Sequence, residues 1–185
     1  MQHFQPVAAG IDVALALAQL EQHHELWGAN PARTEGDASP HRETQDIWVR
    51  FRDPSELTSR AAFGEPHFGV FYPAWDAVPA LKPIVFDIMA RMKAVYLGGI
   101  LLTRIPPGGE VKAHHDRGSW HAEWLNSKVY VVLQANELCV NWCEGDRLVM
   151  RAGEAWQFEN QRMHGVINGG DEDRIALIIT MRVEG

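Results

Sequence analysis

The chain has 185 residues, which suits one domain able to bury a sizeable core. Its 46% hydrophobic and 22% charged content is that of an ordinary globular protein. A formal net charge of −7 argues against a nucleic-acid partner held by a broad basic surface. In chain order, Ile11 to Trp27 predicts a helix, with Ile11, Leu15 and Ala18 recurring near a 3.6 period and no interior Gly or Pro. Gly28 to Arg42 collects turn-forming residues and predicts a long loop. Ile47 to Phe51 is β-rich and predicts a strand. Arg52 to Ala80 holds several prolines and aromatics and predicts irregular structure. Pro83 to Leu97 carries a helical apolar stripe that starts at a proline and is expected to end at Gly98-Gly99.

Beyond Gly99 the pattern changes to short β-rich runs separated by turn signals: Ile100–Ile105, Val111–His114, Lys128–Gln134, Leu138–Trp142, Arg147–Arg151, Ala155–Glu159, Met163–Asn168 and Ile175–Val183. Strands at this spacing predict a mainly β fold with flanking helices, a sandwich, jelly roll or barrel. Residues 1–185 are expected as a single domain, with 1–98 a helical and irregular buttress plus an early strand and 99–185 the β core. Cys139 and Cys143 have no second pair and are expected as buried thiols, not a disulfide framework or a zinc site. The N-terminus has no basic region followed by an apolar run, so no signal peptide is expected, and no stretch approaches the roughly 20 apolar residues of a membrane span. A cytoplasmic protein without membrane or nucleic-acid partners is the expectation; the oligomeric state stays open.

Chemistry concentrates at Ala113-His114-His115-Asp116. In an extended segment residues two apart share a face, so His114 and Asp116 converge while His115 points away. A His and a carboxylate joined by a second His from a later strand form the facial triad of non-haem Fe(II) oxygenases, which leaves open positions for a co-substrate and oxygen. His164 is the candidate second His. If Asn168–Asp173 connects a hairpin, Val166 lies opposite Arg174 and His164 opposite Ala176, making His164 and Arg174 neighbours on one face. An arginine there suits a bidentate grip on a dicarboxylate such as 2-oxoglutarate.

From about Gly99 to Val183 the sequence resembles the aspartyl/asparaginyl β-hydroxylase family of 2-oxoglutarate oxygenases, which have a double-stranded β-helix (jelly roll, cupin-like) fold. The matching elements are Ile105-Pro-Pro-Gly-Gly-Glu, His114-x-Asp116, Gly153-Glu154-x-Trp156-x-Phe158-x-Asn160 and His164-x-Val166-x-Asn168, with Arg174 opening the last apolar strand. The upstream Tyr72-Pro73 and the helix to Leu97 look like the shorter bacterial and phage members. The resemblance implies Fe(II) on His114, Asp116 and His164, 2-oxoglutarate as co-substrate with O2, and hydroxylation of an unactivated C–H bond with release of succinate and CO2. It further implies an amino acid or an Asp/Asn-type side chain of a short peptide as substrate. Two departures stand out. Asp116 supplies a carboxylate that animal members lack. The strand that often carries Arg-x-His reads Lys128-Val129-Tyr130, whose Lys128 and Tyr130 share a face and either contact the co-substrate or, for Tyr130, simply pack.

Around the ligands, His115, Arg117 and His121 either line a substrate entrance or are ordinary loop residues. Trp120 and Trp124 either pack, as Trp142 and Trp156 are expected to, or shape a substrate mouth. Arg50 and Arg52 share a strand face that either meets a substrate carboxylate or is a solvated edge. His23-His24 is expected at the surface and Glu154 in a turn. The alternatives on the same scaffold are a metal-dependent cupin isomerase or hydrolase, and a non-catalytic 2-oxoglutarate or small-molecule sensor.

Overall fold

A computed structural model describes every residue except Thr58, Arg60, Ser119 and Gly185, and the side chains of all the others except Ala61, Phe63 and His121. The elements run β1 (Phe4–Ala8), α1 (Ala14–Gln22), β2 (Gln45–Arg52), β3 (Gly69–Phe71), α2 (Ala74–Ala77), α3 (Leu81–Arg91) and β4 (Ala94–Ile105) in the first part. They continue with β5 (Glu110–His114), α4 (Trp120–Trp124), β6 (Ser127–Gln134), β7 (Cys139–Cys143), β8 (Asp146–Val149), β9 (Ala155–Phe158), β10 (His164–Asn168) and β11 (Arg174–Val183). The strands form a seven-stranded sheet in the order β1-β9-β6-β11-β4-β2-β3 and a four-stranded sheet in the order β5-β10-β7-β8. From β4 to β11 the chain steps from one sheet to the other at every connection except the β7–β8 hairpin. That is the winding of a double-stranded β-helix.

Strand parity divides the large sheet into two faces. Ile175, Leu177, Ile179 and Met181 of β11 join Ile100, Leu102, Val129 and Val131 in a dry layer beneath the helices. The alternate residues, including Ile178, Tyr130 and Ile105, turn toward the small sheet with Val166 and Phe158. Leu81, Ile84, Val85 and Ile88 bury one face of α3 in the dry layer. Fully buried side chains of this size contribute about 1.5–3 kcal/mol each, which outweighs the missing side-chain cap at the helix N-terminus. No helix among the described residues is long and apolar enough to cross a membrane.

Several local expectations change. The first helix covers only Ala14–Gln22, followed by a 3-10 turn at His24–Leu26. Its buried residues are Ala16 and Leu20, while Leu15 is exposed, because so short and Ala-rich a segment does not fix its own phase. The next helix stops at Arg91, where Lys93 takes a left-handed conformation (φ 52°), and Gly98-Gly99 lie inside β4. Gly98 is needed there for closeness: a Cβ would meet Leu125 Cδ1 at 2.4 Å and the Thr180 carbonyl at 2.8 Å. The first half is also more than a buttress, since β1, β2 and β3 all enter the large sheet. β1 carries Pro6, which a strand tolerates at a sheet edge.

The expected hairpin between β10 and β11 does not form. β10 pairs with β5 and β7, and β11 with β4 and β6, so the two strands belong to opposite sheets. Arg174 lies opposite Ile105, and Ala176 opposite Thr103 and Val132. Asn168 secures the crossover: its amide donates to the carbonyls of Ile105 (3.0 Å) and Glu172 (2.8 Å), and its oxygen accepts from Gly170 N–H.

Gly165 sits in β10 between its two partner strands, where a Cβ would lie 2.7 Å from both Trp142 Cζ2 and the Val111 carbonyl. Gly165→Ala should therefore cost about 1–3 kcal/mol, seen as a lower urea midpoint at unchanged slope. An unchanged midpoint would mean that the strand can yield.

Candidate metal centre

His114 closes β5 and His164 opens β10, and the two are paired directly across the small sheet. Directly opposed residues share a face, so their rings meet with centroids 4.2 Å apart. His114 Nδ1–H donates to the Lys112 carbonyl at 2.8 Å, and His164 Nδ1–H to the Arg162 carbonyl at 2.9 Å. A carbonyl only accepts, so each ring carries its proton on Nδ1 and leaves Nε2 as a bare lone pair. Both Nε2 atoms are buried without a hydrogen-bond partner among the described residues.

Asp116 lies past the end of β5, and its convergence on the histidines comes from Asn160, not from strand parity alone. The Asp116 backbone N–H donates to the Asn160 carbonyl at 3.0 Å, and the Asn160 side-chain amide donates to Asp116 Oδ2 at 2.9 Å. Lys128 Nζ donates to the same oxygen at 2.7 Å. Oδ1 is left toward His114 Nε2, 3.6 Å away. One ligand atom from each of His114, Asp116 and His164 falls within 4.8 Å of the others, so the three can hold a metal ion. Two orphaned imidazole nitrogens and a carboxylate oxygen match the donor set of a non-haem Fe(II) site.

The electrostatics suit a cation. Burial on its own would raise the Asp116 carboxyl, but Lys128 and then His164 outweigh it and hold the group well below the usual carboxylate range. Burial, followed by the Lys128 charge, pushes the His164 imidazole down to about 4. Burial also lowers His114. At neutral pH both rings are therefore unprotonated and the carboxylate is charged.

A cavity of about 610 Å³ opens beside Asp116 and Lys128, with Arg33, His41, Arg50 and Arg117 among its walls. Arg50 is no solvated edge: it is half-buried and donates to the Gly98 carbonyl at 2.6 Å. Arg52 is buried and ties down the Glu65 and Pro66 carbonyls, each at 3.0 Å. Arg117 Nε donates to the Gln161 carbonyl at 2.6 Å, and the exposed His115 also lines the cavity. Trp120 stacks on Trp124 (5.2 Å, 9°) and borders a small neighbouring cleft with Arg50 and His67. The side chain of His121 lies outside the described residues. Glu154 is in a turn, accepting from Arg151 N–H and Trp156 Nε1. Cys139 and Cys143 are free and buried, and burial pushes the Cys143 thiol up to about 11.

Arg174 is 2% exposed and reaches the barrel interior, where Nη2 donates to Asn141 Oδ1 at 2.9 Å. Its guanidinium lies 5.8 Å from the Tyr130 ring, which is also 5.8 Å from Lys128 Nζ. No carboxylate pairs with Arg174 among the described residues, and burial lowers its pKa. The sequence pattern contained Asn160 but assigned it no role, and it singled out neither Asn141, Arg33 nor His41. The Asn160 contact to Asp116 spans 44 residues, beyond any local period.

The Lys128–Asp116 pair yields a stability prediction for the metal-free protein. Lys128→Met leaves a buried carboxylate without its cation and should cost about 3–5 kcal/mol at pH 7. Asp116 has a folded-state pKa below its unfolded value of about 3.9, so its stabilisation is present above that value and fades as pH falls through the folded one. Urea titrations should show the gap between wild type and variant narrowing below about pH 4. A gap independent of pH would show that the pair does not act through charge.

No curated protein matches the sequence. Among solved structures, a viral collagen prolyl hydroxylase from Paramecium bursaria Chlorella virus-1, in complex with 2-oxoglutarate, aligns with a TM-score of 0.59 at 9% identity over 99% of this chain and 97% of its own. A Pseudomonas putida prolyl-4-hydroxylase gives 0.56 at 16% identity over 99% and 94%. A 2-oxoglutarate-Fe(II) oxygenase family protein from Burkholderia pseudomallei gives 0.52 at 16% over 92% and 90%. These likenesses establish the double-stranded β-helix. The family model for aspartyl/asparaginyl β-hydroxylase matches residues 69–183, more than half of the chain and all of the metal-centre residues. The chain therefore belongs to the aspartyl/asparaginyl β-hydroxylase family of 2-oxoglutarate- and Fe(II)-dependent oxygenases.

Proposed function

We propose that this oxygenase hydroxylates an unactivated C–H bond of an amino acid or of an Asp/Asn-type side chain in a short peptide, with His114, Asp116 and His164 as the iron ligands. The observation that carries the reading is the pair of buried Nε2 atoms, without a hydrogen-bond partner among the described residues, facing a carboxylate whose other oxygen is tied back. Iron with 2-oxoglutarate and O2 supplies the oxidising chemistry, converting substrate, 2-oxoglutarate and O2 to hydroxylated product, succinate and CO2.

The chain's own residues bind and orient. The Lys112 and Arg162 carbonyls fix the tautomers that present the two Nε2 atoms. Lys128 and Asn160 hold Asp116 so that one oxygen stays available. Arg174 is a buried cation with no counter-ion among the described residues, a costly arrangement unless an anion arrives; the far carboxylate of 2-oxoglutarate is the anion assigned to it. Tyr130 packs beside that guanidinium, and Lys128 has ammonium donors left over for the same guest. Arg50 and Arg117 line the cavity where a substrate would enter. Trp120, stacked on Trp124, is assigned to the rim of that entrance.

Anaerobic addition of Fe(II) and 2-oxoglutarate should produce a weak visible absorption band, and air should then yield succinate. His164→Ala should abolish the band and cut succinate formation at least ~100-fold, as expected for loss of a metal ligand; unaltered turnover would sink the assignment. Arg174→Met should weaken 2-oxoglutarate about 10- to 100-fold, the range of a lost charged hydrogen bond, while leaving Mn(II) affinity unchanged in a calorimetric titration. Equal 2-oxoglutarate affinity in the variant would remove Arg174 from the site.

A further inference from the structure

We propose that Arg33 and His41, both from the loop between α1 and β2, form a second carboxylate-binding wall in the cavity, separate from Arg174. The proposal rests on placing the oxygenase chemistry at the His114–Asp116–His164 centre.

The wall is built from the inside outward. Asp46, 1% exposed, occupies β2 on the face turned into the barrel. Its Oδ2 accepts from Arg33 Nη1 at 2.9 Å, and its Oδ1 accepts from the Thr103 hydroxyl at 2.9 Å. Arg33 Nη1 also donates to Thr103 Oγ1 at 3.1 Å, so that edge of the guanidinium is fully engaged. Its Nη2 lies 2.9 Å from His41 Nδ1. A guanidinium has no acceptor, so Arg33 must donate and His41 Nδ1 must be the bare nitrogen. The imidazole proton then sits on Nε2. The ring itself is buried and packs edge-on against His114, with centroids 4.8 Å apart at 81°.

Arg33 thus fixes the tautomer of a histidine that touches the metal centre. Two of the five guanidinium N–H groups and the His41 Nε2–H have no partner among the described residues. Both residues line the 610 Å³ cavity that also reaches Asp116 and Lys128. Donors without acceptors in a half-enclosed site favour an anionic guest over a neutral one.

The surrounding charge points the same way. Arg33, Arg50, Arg117 and Lys128 line the cavity, and Asp116, already paired with Lys128, is the only acid among its described lining residues. This excess stands in a chain whose formal net charge is −7, so it is local to the cavity. The far carboxylate of 2-oxoglutarate is assigned to Arg174, so the carboxylate that this wall takes is that of the substrate to be oxidised. Asp46 compensates the Arg33 charge, so the guest gains mainly from directed donors held rigidly in place.

Calorimetry on Mn(II)-loaded protein, which does not turn over, tests this wall and the Arg174 site separately. One arm compares 2-oxoglutarate with 2-oxopentanoate, which lacks the far carboxylate. The other compares L-aspartate with L-asparagine in the presence of saturating 2-oxoglutarate. Each is run on wild type, Arg33→Lys and His41→Phe. The lysine keeps a cation opposite Asp46 but loses the fork that reaches His41. The phenylalanine keeps a ring against His114 but has no N–H, and it leaves Asp46 paired should the lysine variant fold poorly. Both variants should lose at least tenfold of the preference for L-aspartate over L-asparagine while keeping the preference for 2-oxoglutarate over 2-oxopentanoate. An unchanged preference for L-aspartate, a loss confined to the 2-oxoglutarate arm, or no preference for L-aspartate in wild type overturns the proposal. If wild type binds neither Mn(II) nor 2-oxoglutarate, the oxygenase reading has failed, and the aspartate–asparagine comparison on metal-free protein then decides the wall by the same criterion.

Discussion

The arrangement of the centre depends on the ion pair between Lys128 and Asp116. A carboxylate that is mostly buried next to two neutral imidazoles needs a cation to stay ionised, and Lys128 supplies it from the opposite sheet at 2.7 Å. The pair also solves a problem of direction. By occupying Oδ2 together with Asn160, it leaves Oδ1 as the oxygen that faces His114. The Lys128 ammonium, itself buried, is kept charged by the same carboxylate against the opposing effect of burial. Neither partner is well placed without the other.

A polar barrel interior of this kind is affordable because the fold stabilises itself elsewhere. The face of the large sheet under α1 and α3 is a continuous apolar layer of β-branched and leucine side chains. The alternate residues of the same strands are thereby released to carry Asp46, Thr103, Lys128, Tyr130 and Arg174 toward the small sheet. One strand period therefore separates stability from chemistry across a single sheet. The small sheet contributes the two histidines and Asn141, so the centre lies where the sheets face each other.

The eight β-rich runs beyond Gly99 were legible because turn residues punctuate them and each run is short. They correspond to the second half of β4 and to strands β5 to β11, with ends shifted by one or two residues. That His114 and Asp116 converge was legible in part from parity, and His164 was named as the candidate from a later strand; its pairing across from His114 and the Asn160 contacts to Asp116 were not. Arg174 was expected beside His164 on one sheet face, through a hairpin that does not exist; it reaches the barrel interior from the opposite sheet, and its neighbours are Asn141 and Tyr130. Gly98-Gly99 looked like a helix stop because local propensity does not report that Thr180 and Leu125 crowd the strand there.

By itself the sequence determined what is local: which residues alternate, where turns fall, and which side chains of the right chemistry can share a face. Side-chain period and turn propensity act over a few residues, so they can be inferred from one chain. Tertiary structure decided everything set by pairing across the barrel: the sheet to which each strand belongs, the grip of Asn160 and Lys128 on Asp116, and the entry of Arg33 and His41 from a loop that carries no periodic signal. The contacts of Asn160 to Asp116 and of Arg33 to Thr103 span 44 and 70 residues, and only closure of the two sheets brings them together.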